Sequence, residues 1–406
     1  MAKIISFNSK KNKDTSKVEA EESVPAWTYK DRIRSHKMVI FYRILLMVII
    51  VATITIALMV QSRIRTYTVC DVVSTSENHS IQSDKMLDFA GAVLSYGKDG
   101  AACVDAQGEA LWNITYEMQS PMISMQGDMV AIGDYGSRIV YLMNTKGAVG
   151  EITTTMPIYK FCVSQAGEIA VVLNDTDVTW IYLYDTLGNV LAYFKTTMRQ
   201  SGFPMDMSIS PGGKLVGLSY VYVDSAELRS SVAFYNFGDV GQNETDNYVS
   251  GYDYSGVVIP TISFLDDDSA FAVADDRIIF FKGSEKPTNL SEHLVGDEIQ
   301  KVFCDDKYVG LVYYSDQAEY RYKIEIYNKN GSLVDERNCN LEFRDIVIKD
   351  ETAYLYSESQ CLIYRIGGDI RYEGALPKTT YLIIPGTKAT RFSTVNSDTI
   401  DQLILK

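Results

Sequence analysis

Residues able to carry out enzymatic chemistry are scarce in this sequence. After the apolar run near the N-terminus, only His79 and His293 offer an imidazole base, and neither adjoins a nucleophile or metalloprotease motif. No CxxC or HxxxH spacing indicates a zinc or redox site. Acidic residues are so frequent that a pair at glycosidase spacing would arise by chance. The sequence therefore predicts no catalytic residue, no metal and no cofactor.

Three acidic clusters could supply oxygen ligands to Ca²⁺, which prefers carboxylates and carbonyls in flexible loops. They are Asp266–Asp268, Asp275–Asp276 and Asp305–Asp306. None has the spacing of an EF-hand loop. Aspartate is also a common turn residue because its carboxylate accepts hydrogen bonds from nearby backbone N–H groups. The favoured interpretation is turn formation, with calcium as the alternative.

The six cysteines are predicted to be mainly buried thiols. Cys103, Cys162 and Cys361 fall inside alternating apolar segments of different repeats, where a free cysteine behaves as a small apolar residue. For Cys70 and Cys339 the sequence leaves both the thiol and the disulfide open.

A helix near the N-terminus is predicted to cross a membrane. Met38–Val60 is a 23-residue apolar run with a single charge, Arg43, close to its start. Basic residues are more frequent before the run than just after it, which places the N-terminus in the cytoplasm. A cleaved signal peptide is the alternative. The predicted division is a disordered basic tail at 1–37, the membrane span at 38–60 and an exported domain at 61–406.

The exported part is strongly acidic, because 47 Asp and Glu against 28 Lys and Arg follow Arg43. Such a charge disfavours a nucleic-acid partner, since binding to phosphates needs a basic face.

A repeat of 37 to 51 residues organises this part of the chain. In it, an alternating apolar strand ends in Asp or Asn, and a Gly shortly afterwards opens the next strand, as in CVDAQGEALW and IYLYDTLGNVLAYF. This period is typical of four-stranded propeller blades. Seven copies are visible, and the last three strand segments could pair with Arg65–Val73 to make another blade. The predicted fold is all-β, an eight-bladed propeller, with seven blades as the alternative.

Several segments stand out in chain order: Met38–Val60, the ALW of the first repeat, PIYKFCVSQAGEIAVVL, GFPMDMSISPGG, SVAFYNFG and the terminal IDQLILK. Together they resemble a bacterial, mainly clostridial, family of single-pass membrane-anchored propellers catalogued as a domain of unknown function. The resemblance implies the fold and an extracytoplasmic location, and it carries no catalytic residues.

Length variation is concentrated in loops that a propeller places on one face, and such insertions commonly form the binding surface of a repeat ring. The longer loops are predicted at Asn174–Thr179, Val223–Ser230, Ser315–Arg321, Thr196–Pro204 and Gly251–Val257. The candidate binding residues on them are Arg199, Phe203, Tyr222, Tyr252, Tyr254, Tyr314 and Tyr320.

Two functions follow from this pattern. The favoured one is a non-enzymatic binding, scaffold or sensor module outside the cell membrane, with an envelope protein or cell-wall component as partner. The alternative is an envelope carbohydrate hydrolase or lyase, which would need a carboxylate pair in the central channel at inner-strand starts such as Asp206.

Overall fold

The computed structural model describes residues 29–63, 65–81, 83, 85–175, 178–197 and 201–406. The chain divides into two units, one ending at Arg63 and the other formed by the rest of the chain. In the first unit, helix α1 spans Tyr29–Arg63. Its segment His36–Ala57 is long and apolar enough to cross a membrane. By this test alone the segment fits a membrane span or a signal sequence.

The second unit is an all-β propeller of eight four-stranded sheets. Seven blades, numbered in chain order, are antiparallel meanders of consecutive strands. The first strand of the unit, β1 (Cys70–Glu77), belongs to the eighth blade.

The strands of blades 1 to 4 have the following bounds. Blade 1 contains β2 (Met86–Phe89), β3 (Ala92–Tyr96), β4 (Gly100–Val104) and β5 (Ala110–Thr115). Blade 2 contains β6 (Pro121–Gln126), β7 (Met129–Asp134), β8 (Ile139–Asn144) and β9 (Gly147–Thr153). Blade 3 contains β10 (Ile158–Val163), β11 (Ile169–Asp175), β12 (Val178–Tyr184) and β13 (Val190–Thr197). Blade 4 contains β14 (Phe203–Ile209), β15 (Leu215–Asp224), β16 (Glu227–Asn236) and β17 (Tyr248–Ser255), with short 3₁₀ turns at Gly241–Asn243 and Thr245–Asn247.

The remaining blades complete the ring. Blade 5 contains β18 (Thr261–Asp266), β19 (Ser269–Val273), β20 (Arg277–Lys282) and β21 (Thr288–Leu294). Blade 6 contains β22 (Ile299–Cys304), β23 (Tyr308–Tyr314), β24 (Tyr322–Asn328) and β25 (Leu333–Cys339). Blade 7 contains β26 (Asp345–Lys349), β27 (Thr352–Tyr356), β28 (Gln360–Arg365) and β29 (Ile370–Ala375). Blade 8 contains β30 (Leu382–Pro385), β31 (Arg391–Val395), β32 (Thr399–Leu405) and β1.

The predicted Asp/Asn-to-Gly hairpins join the third and outer strands of the blades. In blade 3, Oδ1 of Asp185 accepts hydrogen bonds from the backbone N–H groups of Leu187 and Asn189, both at 2.9 Å. Gly188 has a φ of 81°, which costs glycine little. The same arrangement recurs in blades 1 and 6, so the turn chemistry read from the repeat is confirmed.

Eight clusters of buried apolar side chains hold the ring together, one at each interface between neighbouring blades. In the one between blades 1 and 2, the indole N–H of Trp112 donates a 2.7 Å hydrogen bond to the carbonyl of Asn144. This contact explains the ALW of the first repeat. The predicted closure of the ring is also confirmed, because β1 pairs with β32. The pairing runs from Cys70 opposite Leu405 to Glu77 opposite Thr399.

All six cysteines are free in the structure. Those predicted to be buried, Cys103, Cys162 and Cys361, are at most 6% exposed, and so is Cys339. Cys70 is half-buried and Cys304 is exposed.

Candidate functional site

One face of the propeller carries the connections from second to third strands and those from each blade to the next. We call it the loop face, and the opposite side the turn face. Both connection types lie together because the four strands of a blade alternate in direction. The sequence predicts that the candidate binding residues lie on this loop face.

Blade 4 has a longer hairpin than was predicted. Val223–Ser230 was expected to be a loop, but β15 and β16 stay paired as far as Asp224 and Glu227. Only Ser225 and Ala226 form the turn, both with positive φ, as a two-residue hairpin of primed type requires. We call these two strands and their turn the blade 4 hairpin.

The tip of the blade 4 hairpin carries Tyr222. Its hydroxyl donates a 3.1 Å hydrogen bond to Asp253 on the outer strand β17, across β16. Desolvation raises the pKa of Tyr222, and the hydrogen bond to the Asp253 carboxylate raises it further. Val223 and Leu228 next to it are 71% and 41% exposed. Charged residues share the tip, because Arg229 pairs with Glu227 at 3.1 Å and with Asp224 at 3.8 Å. The tip therefore combines two exposed apolar side chains, a charged cluster and one anchored tyrosine.

The loop predicted at Gly251–Val257 is largely wrong, because residues up to Ser255 belong to the outer strand β17. The ten-residue β16 recruits them, with Val232 opposite Tyr252. The Tyr252 hydroxyl donates a 3.0 Å hydrogen bond to a backbone carbonyl of blade 5. Tyr254 is 8% exposed, and burial raises the pKa of its hydroxyl. Both tyrosines therefore pack the sheet rather than extend from a loop.

The loop predicted at Ser315–Arg321 in blade 6 is present between β23 and β24. Tyr314, just before it, is 53% exposed and stacks on Tyr322 with ring centroids 5.7 Å apart. Tyr320 is half-buried, and its backbone N–H donates to the carbonyl of Gln317 at 2.9 Å. Arg199 lies outside the described residues. Phe203 begins the inner strand β14 of blade 4.

Phe203 ends a row of three aromatic rings that crosses blades 2, 3 and 4. Its ring meets that of Tyr159 edge-on at 5.2 Å, and Tyr159 meets Tyr135 edge-on at 6.0 Å. Tyr135 is 55% exposed and follows the second strand of blade 2, whereas Tyr159 is half-buried in β10. We call these three residues the aromatic row. Sequence reasoning missed Tyr135 and Tyr159, although the PIYKF segment was already noted for the family resemblance.

An ion pair joins two inner strands next to the aromatic row. Lys160 in β10 pairs with Asp206 in β14 and also donates to the Met205 carbonyl at 3.2 Å. The other carboxylate oxygen of Asp206 accepts the backbone N–H of Ile262 in blade 5 at 2.9 Å. Asp206, named from the sequence as a possible channel acid, therefore ties three blades together through both of its oxygens.

A cavity of about 540 Å³ lies among the inner strands of blades 2 to 6. Its size is in the range of small-molecule sites. The carboxylates among its lining residues are Asp305 and Asp306, at one end. Oδ1 of Asp305 accepts hydrogen bonds from the backbone N–H groups of Lys307 and Tyr308 at 2.9 and 2.7 Å. Burial raises the pKa of Asp305 in spite of these two bonds.

The other acidic clusters are also engaged by the protein itself. Asp266 and Asp268 pair with Lys329 and Lys282, both at 2.6 Å, and Asp276 pairs with Arg277 at 2.7 Å. Within the part of the chain that the structure describes, no group of three or more His, Cys, Asp or Glu side chains could hold a metal ion. These contacts favour the turn interpretation over the calcium alternative.

A family model covers the whole propeller, since the "Family of unknown function (DUF5711)" matches residues 63–405. The chain belongs to the DUF5711 family. The match begins after the apolar segment of α1, so it covers the propeller and not that segment. No curated protein matches this DUF5711 chain.

Solved structures similar to the DUF5711 propeller share its fold at low sequence identity. Sqt1 from Chaetomium thermophilum is 12% identical, with a TM-score of 0.51 over 83% of this chain and 100% of that chain. BamB from Moraxella catarrhalis is 11% identical, with a TM-score of 0.48 over 83% of this chain and 100% of that one. At such identities the likeness concerns the fold alone.

Proposed function

We propose that this DUF5711 protein is a non-enzymatic binding or scaffold module of the bacterial envelope. Helix α1 anchors it in the cell membrane, and the propeller lies outside the cell. The partner is an envelope protein or a cell-wall component that docks on the loop face. The basic residues before the apolar segment support a cytoplasmic N-terminus. The predicted division at 1–37, 38–60 and 61–406 fits this arrangement.

The aromatic row is the observation that carries the proposal. It presents three rings in a continuous line over three blades, with Tyr135 more than half exposed. Aromatic side chains contribute large contact areas at low entropic cost and are enriched among the residues that dominate binding energy. The exposed Val223 and Leu228 at the tip of the blade 4 hairpin add a second contact on the same face. Together they form a surface suited to a macromolecular partner.

The carboxylates of the inner strands give less support to the alternative function, a carbohydrate hydrolase or lyase. Such an enzyme needs one carboxylic acid and one carboxylate facing the same bond. Asp206 is committed to Lys160 and to a backbone N–H group, and Asp305 caps a turn. A binding role requires neither residue to be free.

In-cell crosslinking followed by purification tests the proposal. The wild-type protein is compared with a Tyr135→Ala, Phe203→Ala double variant at matched expression. Leu187→Ala is the control, because Leu187 is 80% exposed on the turn face between β12 and β13. We expect one crosslinked species to be lost from the double variant and retained in the control. An unchanged crosslinking pattern in the double variant would contradict docking on the loop face.

Protease protection in intact cells tests the orientation separately. With epitope tags at both ends, we expect added protease to remove the C-terminal tag and spare the N-terminal one. Loss of the N-terminal tag alone would reverse the assigned orientation. A C-terminal tag released into the medium without protease would indicate cleavage of α1 as a signal sequence.

A further inference from the structure

A cleft of about 450 Å³ opens between blades 3 and 4, and the three residues of the aromatic row are not among those that line it. One side is the end of the outer strand β13, and the other is formed by β16 and β17 of blade 4. Thr245 and Asp246, in the segment that connects β16 to β17, also line it. We call this space the blade 3–4 cleft. Its volume lies in the range of small-molecule sites, roughly 300–1,000 Å³.

Three hydroxyl groups meet among the buried residues of the cleft. Tyr220 and Thr196 are 1% and 6% exposed, and the Tyr220 hydroxyl lies 3.2 Å from that of Tyr235. Oγ1 of Thr196 makes no hydrogen bond within standard geometry to any described residue, although it lies close enough to Tyr220 to affect its pKa. Burial raises the pKa of Tyr235 to about 12 and that of Tyr220 well above its ordinary value, so both stay protonated.

The hydroxyls cannot satisfy one another. Three hydroxyls in a row carry three O–H donors and can form at most two bonds among themselves. Because Tyr220 and Tyr235 pair with each other, the donor left over among the described residues is the hydroxyl of Thr196. A buried donor without an acceptor is unfavourable, so a ligand that brings an acceptor oxygen is favoured here.

Aromatic rings form the walls of the cleft. Phe194 stacks on Tyr235 with centroids 4.1 Å apart, and Tyr248 meets Tyr235 edge-on at 5.9 Å. Tyr248 is 46% exposed, so part of its ring is free for a ligand. Glycine at position 251 leaves room for the Tyr248 side chain, because a Cβ there would lie 2.3 Å from the Tyr248 hydroxyl.

The charges among the lining residues restrict the ligand further. Asp246 and Asp253 are both exposed, and Lys195 is the single cationic residue that lines the cleft among the described residues. Among the described lining residues, an anionic ligand would meet two carboxylates and one ammonium group. Hydroxyl donors, an exposed aromatic face and two carboxylates together suit a neutral ligand with many hydroxyl groups.

We propose that the blade 3–4 cleft binds one or two sugar units of a neutral glycan. The Thr196 hydroxyl donates to an oxygen of the sugar, and the Tyr248 ring packs against its C–H face. The carboxylates of Asp246 and Asp253 accept hydrogen bonds from other sugar hydroxyls. The site shares no residue with the aromatic row, and it adjoins the blade 4 hairpin through Asp253, which also accepts the hydrogen bond from Tyr222.

Saturation-transfer NMR on the full-length protein in nanodiscs tests this proposal. The probes are cellotriose, mannotriose and the N-acetylglucosamine trimer, with trigalacturonate as the anionic counterpart. We expect saturation of at least one neutral trimer at millimolar concentration and none of trigalacturonate. Absence of transfer to all three neutral trimers, or equal transfer to trigalacturonate, would overturn the proposal.

Two variants locate the binding. Thr196→Val keeps the side-chain shape and removes the hydroxyl, and Tyr248→Ala removes the exposed ring. We expect each to weaken binding of the neutral trimer at least tenfold while the thermal midpoint of Thr196→Val does not fall. Tyr193→Ala is the matched control, since Tyr193 is 59% exposed on the same strand β13 but is not among the residues that line the cleft. Unchanged affinity in both cleft variants would show that the sugar binds elsewhere and would overturn the assignment.

Discussion

The hydroxyl of Thr75 donates a 2.5 Å hydrogen bond to Asp401, a residue 326 positions later in the chain. The Asp401 carboxylate is fully buried and also accepts hydrogen bonds from Lys378 at 2.7 Å and Thr399 at 3.1 Å. Thr75 lies in β1 and Asp401 in β32, so this carboxylate holds the strand that completes blade 8. The apolar cluster between blades 8 and 1 is the smallest of the eight, which gives polar contacts in blade 8 a larger share in closing the ring.

Replacement of Asp401 by alanine should therefore destabilise the whole propeller. Removing a buried carboxylate leaves Thr75 and Lys378 without this acceptor, for which we expect a loss of about 2–4 kcal/mol in the free energy of unfolding. Urea unfolding followed by tyrosine fluorescence measures it. Asp398→Ala is the control, because the Asp398 side chain is exposed in the turn between β31 and β32. Equal destabilisation by both substitutions would contradict a special role for the buried carboxylate.

The turn of the blade 4 hairpin stores backbone strain that a substitution can relieve. Ser225 and Ala226 have φ values of 51° and 68°, a region that costs residues with a Cβ roughly 1–2 kcal/mol. Glycine adopts it freely, so we expect Ala226→Gly to raise the free energy of unfolding by about 0.5–1 kcal/mol. The control is Ala148→Gly, at an exposed position in the outer strand β9, where glycine should be destabilising. A loss of stability in both variants would rule out strain at the turn.

The fold was predictable because its signals are local and repeated. Asp185 and Gly188 define a turn within five residues, and the same pattern marks blades 1, 2 and 6. The closing strand was also predictable, since three strand segments after the seventh repeat left one position vacant.

The binding face was harder to predict, because its elements are set by pairing across strands. Gly251 and the polar residues around it have the composition of a loop, yet ten residues of β16 hold them in a strand. Tyr135 and Tyr159 belong to different blades, and their contact depends on how those blades are placed around the axis. The same holds for the blade 3–4 cleft, whose residues come from β13, β15, β16 and β17.

The ion pair of Asp266 and Lys329 makes a prediction about acid stability. Burial alone would raise the pKa of Asp266, but hydrogen bonds from Lys329 and then Asp268 lower it below its ordinary value. A carboxyl with a lowered folded-state pKa contributes stability above the unfolded pKa, near 4, and loses it as the pH falls towards the folded value. We expect wild type to lose about 1 kcal/mol more than Asp266→Asn between pH 4 and pH 2.

Chemical unfolding at a series of pH values checks this difference. Asp316→Asn serves as the control, because Asp316 is an exposed aspartate in the blade 6 loop. Its free energy of unfolding should fall between pH 4 and pH 2 by the same amount as that of wild type. The same fall for Asp266→Asn would mean that the Lys329 pair adds no pH-dependent stability.

Thiol labelling should report on the central cavity through a single residue. Cys304 is the exposed cysteine of the six and lines the cavity among the inner strands of blades 2 to 6. Solvent reaches this side chain. Desolvation by the surrounding cavity walls is the main cause that raises the pKa of its thiol to about 11, and the negative charge of Asp305 adds to it. Only roughly one molecule in a thousand then carries the reactive thiolate at pH 8.

We therefore expect maleimide to modify the folded protein at one site, slowly, with a rate that rises about tenfold per pH unit between pH 7 and pH 9. Mass spectrometry identifies the site, and Cys304→Ser should abolish the modification. Cys103→Ser is the control, because Cys103 is fully buried and should not contribute to labelling. Fast labelling that does not depend on pH would contradict the raised pKa, whereas labelling at Cys103 would show that blade 1 opens on the timescale of the reaction.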